Sequence, residues 1–401
     1  MTENPKDWEL ATRLVRGGTM RSQFGETSEA IFLTQGYVYD SAESADARFS
    51  GEEPGYVYSR YANPTVKMFE DRLALAEGAE ACRGTASGMA AVHLALTGLV
   101  RAGDHIIGPK ACFGSCRWVL KNWMPRFGVE TTFVPGADIA AWRAAVRPNT
   151  KAFFIEAPAN PLLEITDIAA VVAIAREIGA KVVVDNVFAT PIFTKPLQLG
   201  ADIVVYSATK HIDGQGRVLG GAVLGDHALI EDAYRDLIRH TGPALSPFNA
   251  WALLKGLETL DLRVRRQTQS ATMLADLIAA HPKVLATRYP GRTDHPQHEV
   301  ALRQMTGGTN AFLGGGTLVA MDLGSRAAAF RFLNALQIAD ISNNLGDAKS
   351  MATHPSTTTH RAMTEEERLE IGLTEGWVRL SVGLEGAGDL ARDIAQALDQ
   401  A

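Results

Sequence analysis

The sequence is poor in cysteine. It has three cysteines in 401 residues, Cys82, Cys112 and Cys116, which are too few and too odd in number for a disulfide framework. Cys112 and Cys116 are separated by three residues, whereas paired zinc-binding cysteines are commonly separated by about two. Cys116 is better interpreted as a small buried filler. We therefore expect a reduced protein of the cytoplasm.

Long apolar runs and an excess of basic residues are also missing. No stretch of about 18 apolar residues occurs, so we expect no membrane span. Residues 1–18 lack the apolar core of a secretory signal. The formal net charge is -6, which argues against nucleic acid as a partner because phosphate backbones bind basic surfaces. No G-x-G-x-x-G follows the first strand, so a nicotinamide-binding oxidoreductase is poorly supported.

What the sequence does contain is a regular alternation of helices and strands. Residues 1–60 bury little by themselves and predict an arm that lies on another surface, which the resemblance described below implies is that of a neighbouring subunit. Residues 61–256 predict an α/β domain with a mostly parallel sheet, and 257–401 a smaller α+β domain. A long helical stretch, 251–281, bridges the two. The predicted strands include 104–109, 150–158, 181–185, 201–209, 316–324 and 377–385, and the clearest helix is 167–180.

The strongest local signal for chemistry is the segment 204–221. A strand ends there, Ser207, Thr209 and Lys210 follow, and a glycine-rich loop comes next. Ligands of open α/β sheets bind at the carboxyl ends of strands, and two hydroxyls can donate to a phosphate. Taken alone, an exposed loop lysine is the plainer interpretation.

Two further elements support a cofactor. Asp185 ends a buried strand, where an acid is costly unless it is paired, and the protonated ring nitrogen of pyridoxal phosphate is such a partner. A helix cap or a metal ligand is the alternative. Gly88 precedes a helix whose first N–H groups form an anion site. The lysine, the acid and the anion site together support pyridoxal phosphate more strongly than any one of them does alone.

Longer motifs carry a resemblance that covers nearly the whole chain. They resemble, in order and spacing, the signatures of the cystathionine synthase, lyase and sulfhydrylase family of enzymes that use pyridoxal 5'-phosphate. The motifs are YSRYANPT (58–65), ASGMAA (86–91), EAPANP (156–161), VDNVFATP (184–191), SATKHIDGQG (207–216) and VRLSVGLE (378–385).

The resemblance implies a fold and a set of contacts. The fold is the α/β transferase fold type I of pyridoxal-phosphate enzymes, like aspartate aminotransferase. It has a mostly parallel seven-stranded sheet, a smaller C-terminal α+β domain, and a homotetramer built from two dimers. Lys210 would form the Schiff base and move protons, Asp185 would hold the ring nitrogen, and Arg379 would bind the substrate α-carboxylate. The other implied contacts are to the phosphate from Ser207, Thr209, Gly88 and Met89, to the neighbouring subunit's phosphate from Tyr58 and Arg60, to the ring face from Phe113, and to the ring oxygen from Asn160.

Three positions indicate which branch of the family the chain resembles most. Phe113 stands at the catalytic centre where many members have a tyrosine, and Ser115 where methionine γ-lyases have a cysteine. Asn344, in the implied substrate loop, stands where many members have serine. Together with residues 241–260 this pattern resembles the bacterial branch that makes homocysteine and succinate from O-succinylhomoserine and sulfide.

Several alternatives stay open. Cystathionine γ-synthase or O-acetylhomoserine sulfhydrylase activity is the next hypothesis, a γ-lyase is less favoured, and a non-catalytic homologue is the alternative from another class. We expect no metal site, because His295, His298 and Glu299 lack a further ligand cluster. Arg48 and Arg117 are weak candidates for binding the succinyl carboxylate.

Overall fold

The computed structural model describes residues 4–401 as two sheets covered by helices. The first sheet has seven strands: β1 (Ala81–Thr85), β2 (His105–Pro109), β3 (Glu130–Val134), β4 (Thr150–Glu156), β5 (Lys181–Asp185), β6 (Ile203–Ser207) and β7 (Gly221–Gly225). The second has five: β8 (Ala286–Arg288), β9 (Leu318–Asp322), β10 (Asp340–Ile341), β11 (Met351–Thr353) and β12 (Trp377–Ser381).

The helices alternate with these strands. They are α1 (Leu10–Arg16), α2 (Ala42–Ser50), α3 (Pro64–Glu77), α4 (Gly88–Thr97), α5 (Gly114–Trp118), α6 (Ile139–Ala144), α7 (Ile168–Glu177), α8 (Thr190–Phe193), α9 (Arg235–Thr241), α10 (Pro247–Leu257), α11 (Leu260–Ala280), α12 (His298–Gln304), α13 (Arg326–Ala335), α14 (Glu365–Glu370) and α15 (Ala387–Gln400). Within residues 4–401, none of them is both long and apolar enough to cross a bilayer.

The seven-stranded sheet has the order β1-β7-β6-β5-β4-β2-β3. Strand β7 is antiparallel to both neighbours and the other pairs are parallel, which confirms the predicted mostly parallel sheet. Alternate side chains of a strand face opposite ways, so Val183 packs towards α4 while Val182 and Val184 pack towards α7. Burial on both faces explains why these strands are continuous apolar runs.

The five-stranded sheet has its own core. Its strands pack against α11, α13 and α15 through residues such as Leu274, Phe332 and Ile394. Helix α11 also reaches the first sheet's core through Leu260 and Val264, so one helix belongs to both cores. The exact division at residues 60 and 256 stays a prediction.

The predicted helical stretch over 251–281 is interrupted. Helix α10 ends at Leu257 and α11 begins at Leu260, with Thr259 at a non-helical ψ of 6°. Helix α10 packs against α3, whereas α11 turns towards the second sheet, so the two directions require a break. The predicted helical stretch is therefore helical over most of its length, but in two helices.

Candidate active site

The carboxyl ends of β4, β5 and β6 open onto a cavity of about 110 Å³. Strands that run parallel end at the same edge of a sheet, which brings together residues far apart in the sequence. The side chains and backbone that line it include those of Gly88, Met89, Phe113, Cys116, Glu156, Asn160, Asp185, Ser207, Lys210, Thr359 and Arg379.

Asp185 ends β5 and is 8% exposed. Its Oδ1 accepts a hydrogen bond from the backbone N–H of Val187 at 3.1 Å. In the described part of the chain it has no ion-pair partner. Burial raises the pKa of this carboxyl to about 7, because desolvation disfavours the charged form. A cation placed in the cavity beside it would reverse this cost.

Lys210 follows β6 in a short turn, where its N–H donates to the carbonyl of Ser207. Its Nζ reaches into the cavity and donates to Oδ1 of Asn344. Burial, with a smaller effect from the charge of Arg379, lowers the pKa of Lys210 to about 8. An amine that loses its proton so near neutrality can act as a nucleophile and a base.

One end of the cavity is built to hold an anion. Ser87 caps α4 by accepting from the N–H of Ala90 at 3.2 Å, and the helix presents its first N–H groups at Gly88 and Met89. A Cβ at Gly88 would lie 2.5 Å from Cβ of Ser207, so only glycine permits this close approach.

The hydroxyl of Thr209, predicted to contact the phosphate, bonds the protein backbone in this structure. Its hydroxyl donates to the carbonyl of Gly220 at 3.2 Å and accepts from that residue's N–H at 3.1 Å. It does not belong to the cavity lining described above. A phosphate contact from this hydroxyl therefore stays a prediction.

Arg379 lies on β12, 1% exposed, and reaches from the second sheet to the cavity. Its Nη1 donates to Oδ1 of Asn160 at 2.9 Å, and its Nη2 donates to the carbonyls of Asn343 and Asn344 at 3.0 and 3.2 Å. Its Nε has no partner within residues 4–401. The guanidinium is thus held in one orientation, and its Nε–H is left as a donor without a partner among the described residues.

Tyr58 and Arg60 do not reach this cavity. The Arg60 guanidinium carbon lies 5.2 Å from the ring centre of Tyr58 and 5.0 Å from that of Tyr61, and it donates to the carbonyl of Arg239. The tyrosine is 38% exposed. Both residues line a separate depression on the surface, so the chain does not use them in its own cavity.

Sequence reasoning missed Glu156. It ends β4, directly opposite Asp185 in the strand register, and is 4% exposed. The signal was available, because an acid at the end of a buried strand was the argument for Asp185. One carboxylate oxygen of Glu156, one of Asp185 and the Sγ of Cys116 all lie within 4.8 Å of one another.

The residues discounted or weakly favoured from the sequence have other partners. His295 bonds the carbonyl of Leu163 at 3.1 Å and accepts from the N–H of Gln297, so both ring nitrogens are used. Arg117 pairs with Glu367 at 2.9 Å, and Arg48 pairs with Glu53 at 3.1 Å. Neither arginine lines the cavity, and Ser115 is exposed to solvent outside it.

Taken together, the cavity fits pyridoxal phosphate. It offers N–H groups for a phosphate, a buried carboxylate in need of a cation for the ring nitrogen, and an amine of lowered pKa for the aldehyde. The ring of Phe113 lines the same space and supplies an aromatic face.

Comparison with known proteins agrees with this geometry. The family model for Cys/Met metabolism PLP-dependent enzymes matches residues 11–399. An O-succinylhomoserine sulfhydrylase of Mycobacterium tuberculosis is 53% identical over 98% of this chain and 97% of its own length. One of Pseudomonas aeruginosa is 46% identical over 96% and 94%. A cystathionine gamma synthase structure from Xanthomonas oryzae superimposes with a TM-score of 0.92 at 32% identity, covering 98% of both chains.

Proposed function

Because the chain belongs to the family of Cys/Met metabolism PLP-dependent enzymes, we propose that it converts O-succinylhomoserine and sulfide to homocysteine and succinate. This is the activity of an O-succinylhomoserine sulfhydrylase, a carbon–sulfur bond-forming step of methionine biosynthesis. The observation that carries it is the identity of 53% over nearly the full length to a relative of that name.

The cofactor would be held at three points. The N–H groups of Gly88 and Met89, with the Ser207 hydroxyl, would bind its phosphate. Asp185 would accept from its ring nitrogen, and Phe113 would lie against its ring. Pyridoxal phosphate, when bound, withdraws electrons from the carbon that carries the substrate amine.

Lys210 would bind the cofactor covalently and, once displaced by the substrate amine, carry protons. Its pKa of about 8 leaves an appreciable neutral fraction near neutral pH. It would take the proton from Cα, give it up to the cofactor, and then take one from Cβ as succinate leaves from Cγ. Sulfide would then add at Cγ, and Lys210 would return the protons to Cβ and Cα. Asn344 accepts from its Nζ and would keep the amine aimed into the cavity.

Arg379 would bind the substrate α-carboxylate. A planar guanidinium suits a carboxylate because two N–H groups can meet its two oxygens. Asn160 and the carbonyls of Asn343 and Asn344 hold the guanidinium still. Asn160 would also contact the cofactor's ring oxygen through its amide.

Phe113 bears on the choice of reaction. It has no hydroxyl and cannot relay a proton, so proton transfer would rest on Lys210 alone. Replacement of the succinyl group by sulfide needs no acid beyond the one that returns a proton to the substrate carbons.

The three cysteines are free and buried, which supports a reducing compartment such as the cytoplasm.

The exposed arm supports a second part of the proposal. Tyr58 and Arg60 would contribute to the phosphate site of a second copy of the chain, within a homotetramer of two dimers. Mixing Arg60→Ala protein with Lys210→Ala protein tests this, because a mixed dimer has one site free of both substitutions. Activity that appears only on mixing is expected, and no gain on mixing would contradict the shared site.

The products formed from two substrates and two nucleophiles identify which reaction the enzyme catalyses. O-succinylhomoserine and O-acetylhomoserine would each be incubated with the cofactor-loaded enzyme and sulfide, cysteine or no nucleophile. We expect homocysteine mainly from the succinyl ester with sulfide. Mainly acetyl-derived homocysteine would change the substrate, cystathionine would mean a γ-synthase, and 2-oxobutanoate under every condition would mean a γ-lyase. No product from any pair would favour a non-catalytic homologue.

A further inference from the structure

Glu156 is a buried carboxylate for which the mechanism above has no use. It is 4% exposed and lines the cavity. Among the described residues it forms no ion pair, although Arg379 is near enough to favour its charged form. A buried charge without a cation is costly, so its position at the cavity needs another explanation.

Each oxygen of Glu156 holds a different part of the cavity wall. Its Oε2 accepts from the N–H of Phe113 at 2.7 Å, and its Oε1 accepts from the N–H of Asn160 at 2.7 Å. Asn160 in turn orients Arg379. One side chain therefore fixes the aromatic face and the arginine clamp relative to each other.

Glu156 also stands beside Asp185. The two residues are register partners on β4 and β5, and a carboxylate oxygen of one lies within 4.8 Å of a carboxylate oxygen of the other. Burial, together with the charge of Asp185, raises the pKa of Glu156 to about 8, while the bonds from Phe113 and Asn160 oppose this rise. Two carboxylates this close favour any cation that binds between or against them.

We propose that Glu156 is a positioning residue for the cofactor, which fixes Phe113 and Asn160 and places a second negative charge behind Asp185. The inference rests on the proposed function only in requiring pyridoxal phosphate. With the positive charge of the cofactor in the cavity, the carboxyl of Glu156 would lose its proton, and its negative charge would in turn stabilise that positive charge.

Two substitutions separate the two roles. Glu156→Gln removes the charge and one of the two acceptor oxygens. Glu156→Asp keeps the charge but is too short to reach both N–H groups, so an effect seen only in Glu156→Gln reports the charge. The readouts are the pH midpoint of the visible absorbance of the cofactor-loaded protein and the cofactor dissociation constant. Neither readout needs a substrate.

Loss of the charge is expected to lower the midpoint in Glu156→Gln by about one to two pH units, for a neighbouring charge screened as in a protein interior. Glu156→Asp is expected to keep the midpoint and to raise the dissociation constant about tenfold, as one lost charged hydrogen bond requires. The matched control is Glu70→Gln, which removes a carboxyl that is 5% exposed and accepts from the N–H of Gly84 at 2.7 Å, away from the cavity lining. It should change neither readout.

An unchanged midpoint in Glu156→Gln would overturn the proposal, as would an equal fall in the Glu70→Gln control. If Glu156→Gln does not fold, Glu156→Asp decides: a raised dissociation constant supports the positioning role, and an unchanged one overturns it. A wild-type protein that binds the cofactor but makes no homocysteine would refute the proposed function and leave this test intact.

Discussion

Replacing Asp185 by asparagine should have opposite effects on the cofactor-free and the cofactor-loaded protein. Without cofactor, the carboxyl is buried with one hydrogen bond, and burial raises its pKa from 3.8 to about 7. A rise of this size corresponds to about 4 kcal/mol of destabilisation once the pH exceeds both values. Asparagine has the same shape, and its Oδ1 can still accept from the N–H of Val187.

The sign of the pH dependence follows from this rise. The folded state holds the proton of Asp185 more tightly than the unfolded state, so the wild-type apoprotein loses stability between about pH 4 and pH 7 and no more above it. Cofactor-free Asp185→Asn should be more stable than wild type by about 2–4 kcal/mol near pH 8, and equal to it near pH 4. Urea unfolding at one fixed protein concentration measures this difference.

In the cofactor-loaded protein the same substitution should weaken cofactor binding. Asparagine cannot offer a charge to the ring nitrogen, and the loss of a charge-assisted hydrogen bond should weaken cofactor binding about 10- to 100-fold. The control is Asp393→Asn, since Asp393 is 4% exposed and accepts from the N–H groups of Gln337, Ile338 and Ala339. That change should lower stability by about 1–3 kcal/mol and leave cofactor binding alone. A destabilised Asp185→Asn apoprotein near pH 8 would refute the reasoning.

Three further predictions concern the lysine, the phosphate end and the arm. Lys210→Ala should abolish the visible absorbance band that arises from the covalent bond between cofactor and lysine, together with fixation of the cofactor by borohydride. Fixation at another lysine would contradict the assignment. Gly88→Ala should raise the cofactor dissociation constant at least about tenfold, because the new Cβ would lie 2.5 Å from Cβ of Ser207. The control is Gly388→Ala, on the surface of α15, which should leave the dissociation constant unchanged. Glu29 bonds Arg72 at 2.6 Å and Lys255 at 2.8 Å, and these bonds outweigh burial to lower its pKa to about 2. Glu29→Gln should therefore cost about 2 kcal/mol near pH 7 in urea unfolding, with the gap to wild type narrowing below about pH 4.5; a gap that stayed constant would contradict the role of the charge.

The sheet and its carboxyl edge were predictable because they depend on local pattern. Strand 181–185 is a short apolar run that ends in an acid, and the structure places Asp185 and Lys210 at the same cavity. The same pattern at 150–156 indicated Glu156 equally well, yet its importance emerges only from its contacts with Phe113 and Asn160. An acid at a strand end does not reveal which backbone groups will surround it.

Other features needed the folded chain. Arg379 and Asn160 are 219 residues apart, and their contact depends on how the two sheets pack together. The pairing of Arg117 with Glu367, 250 residues away, gives this weak candidate for the succinyl carboxylate another partner, which charge alone did not indicate. The phosphate contact of Thr209 stays a prediction, and the sequence did not indicate that its hydroxyl bonds the backbone of Gly220 across the glycine-rich loop.

The most direct test of the account is the stoichiometry of one reaction. Cofactor-loaded enzyme would be supplied with O-succinylhomoserine and excess sulfide, and succinate, homocysteine and 2-oxobutanoate would be measured together, with Lys210→Ala as the blank. The account predicts one homocysteine for each succinate, little 2-oxobutanoate and no turnover in the blank. Succinate matched by 2-oxobutanoate instead of homocysteine would contradict it, since the site would then eliminate the succinyl group without replacing it.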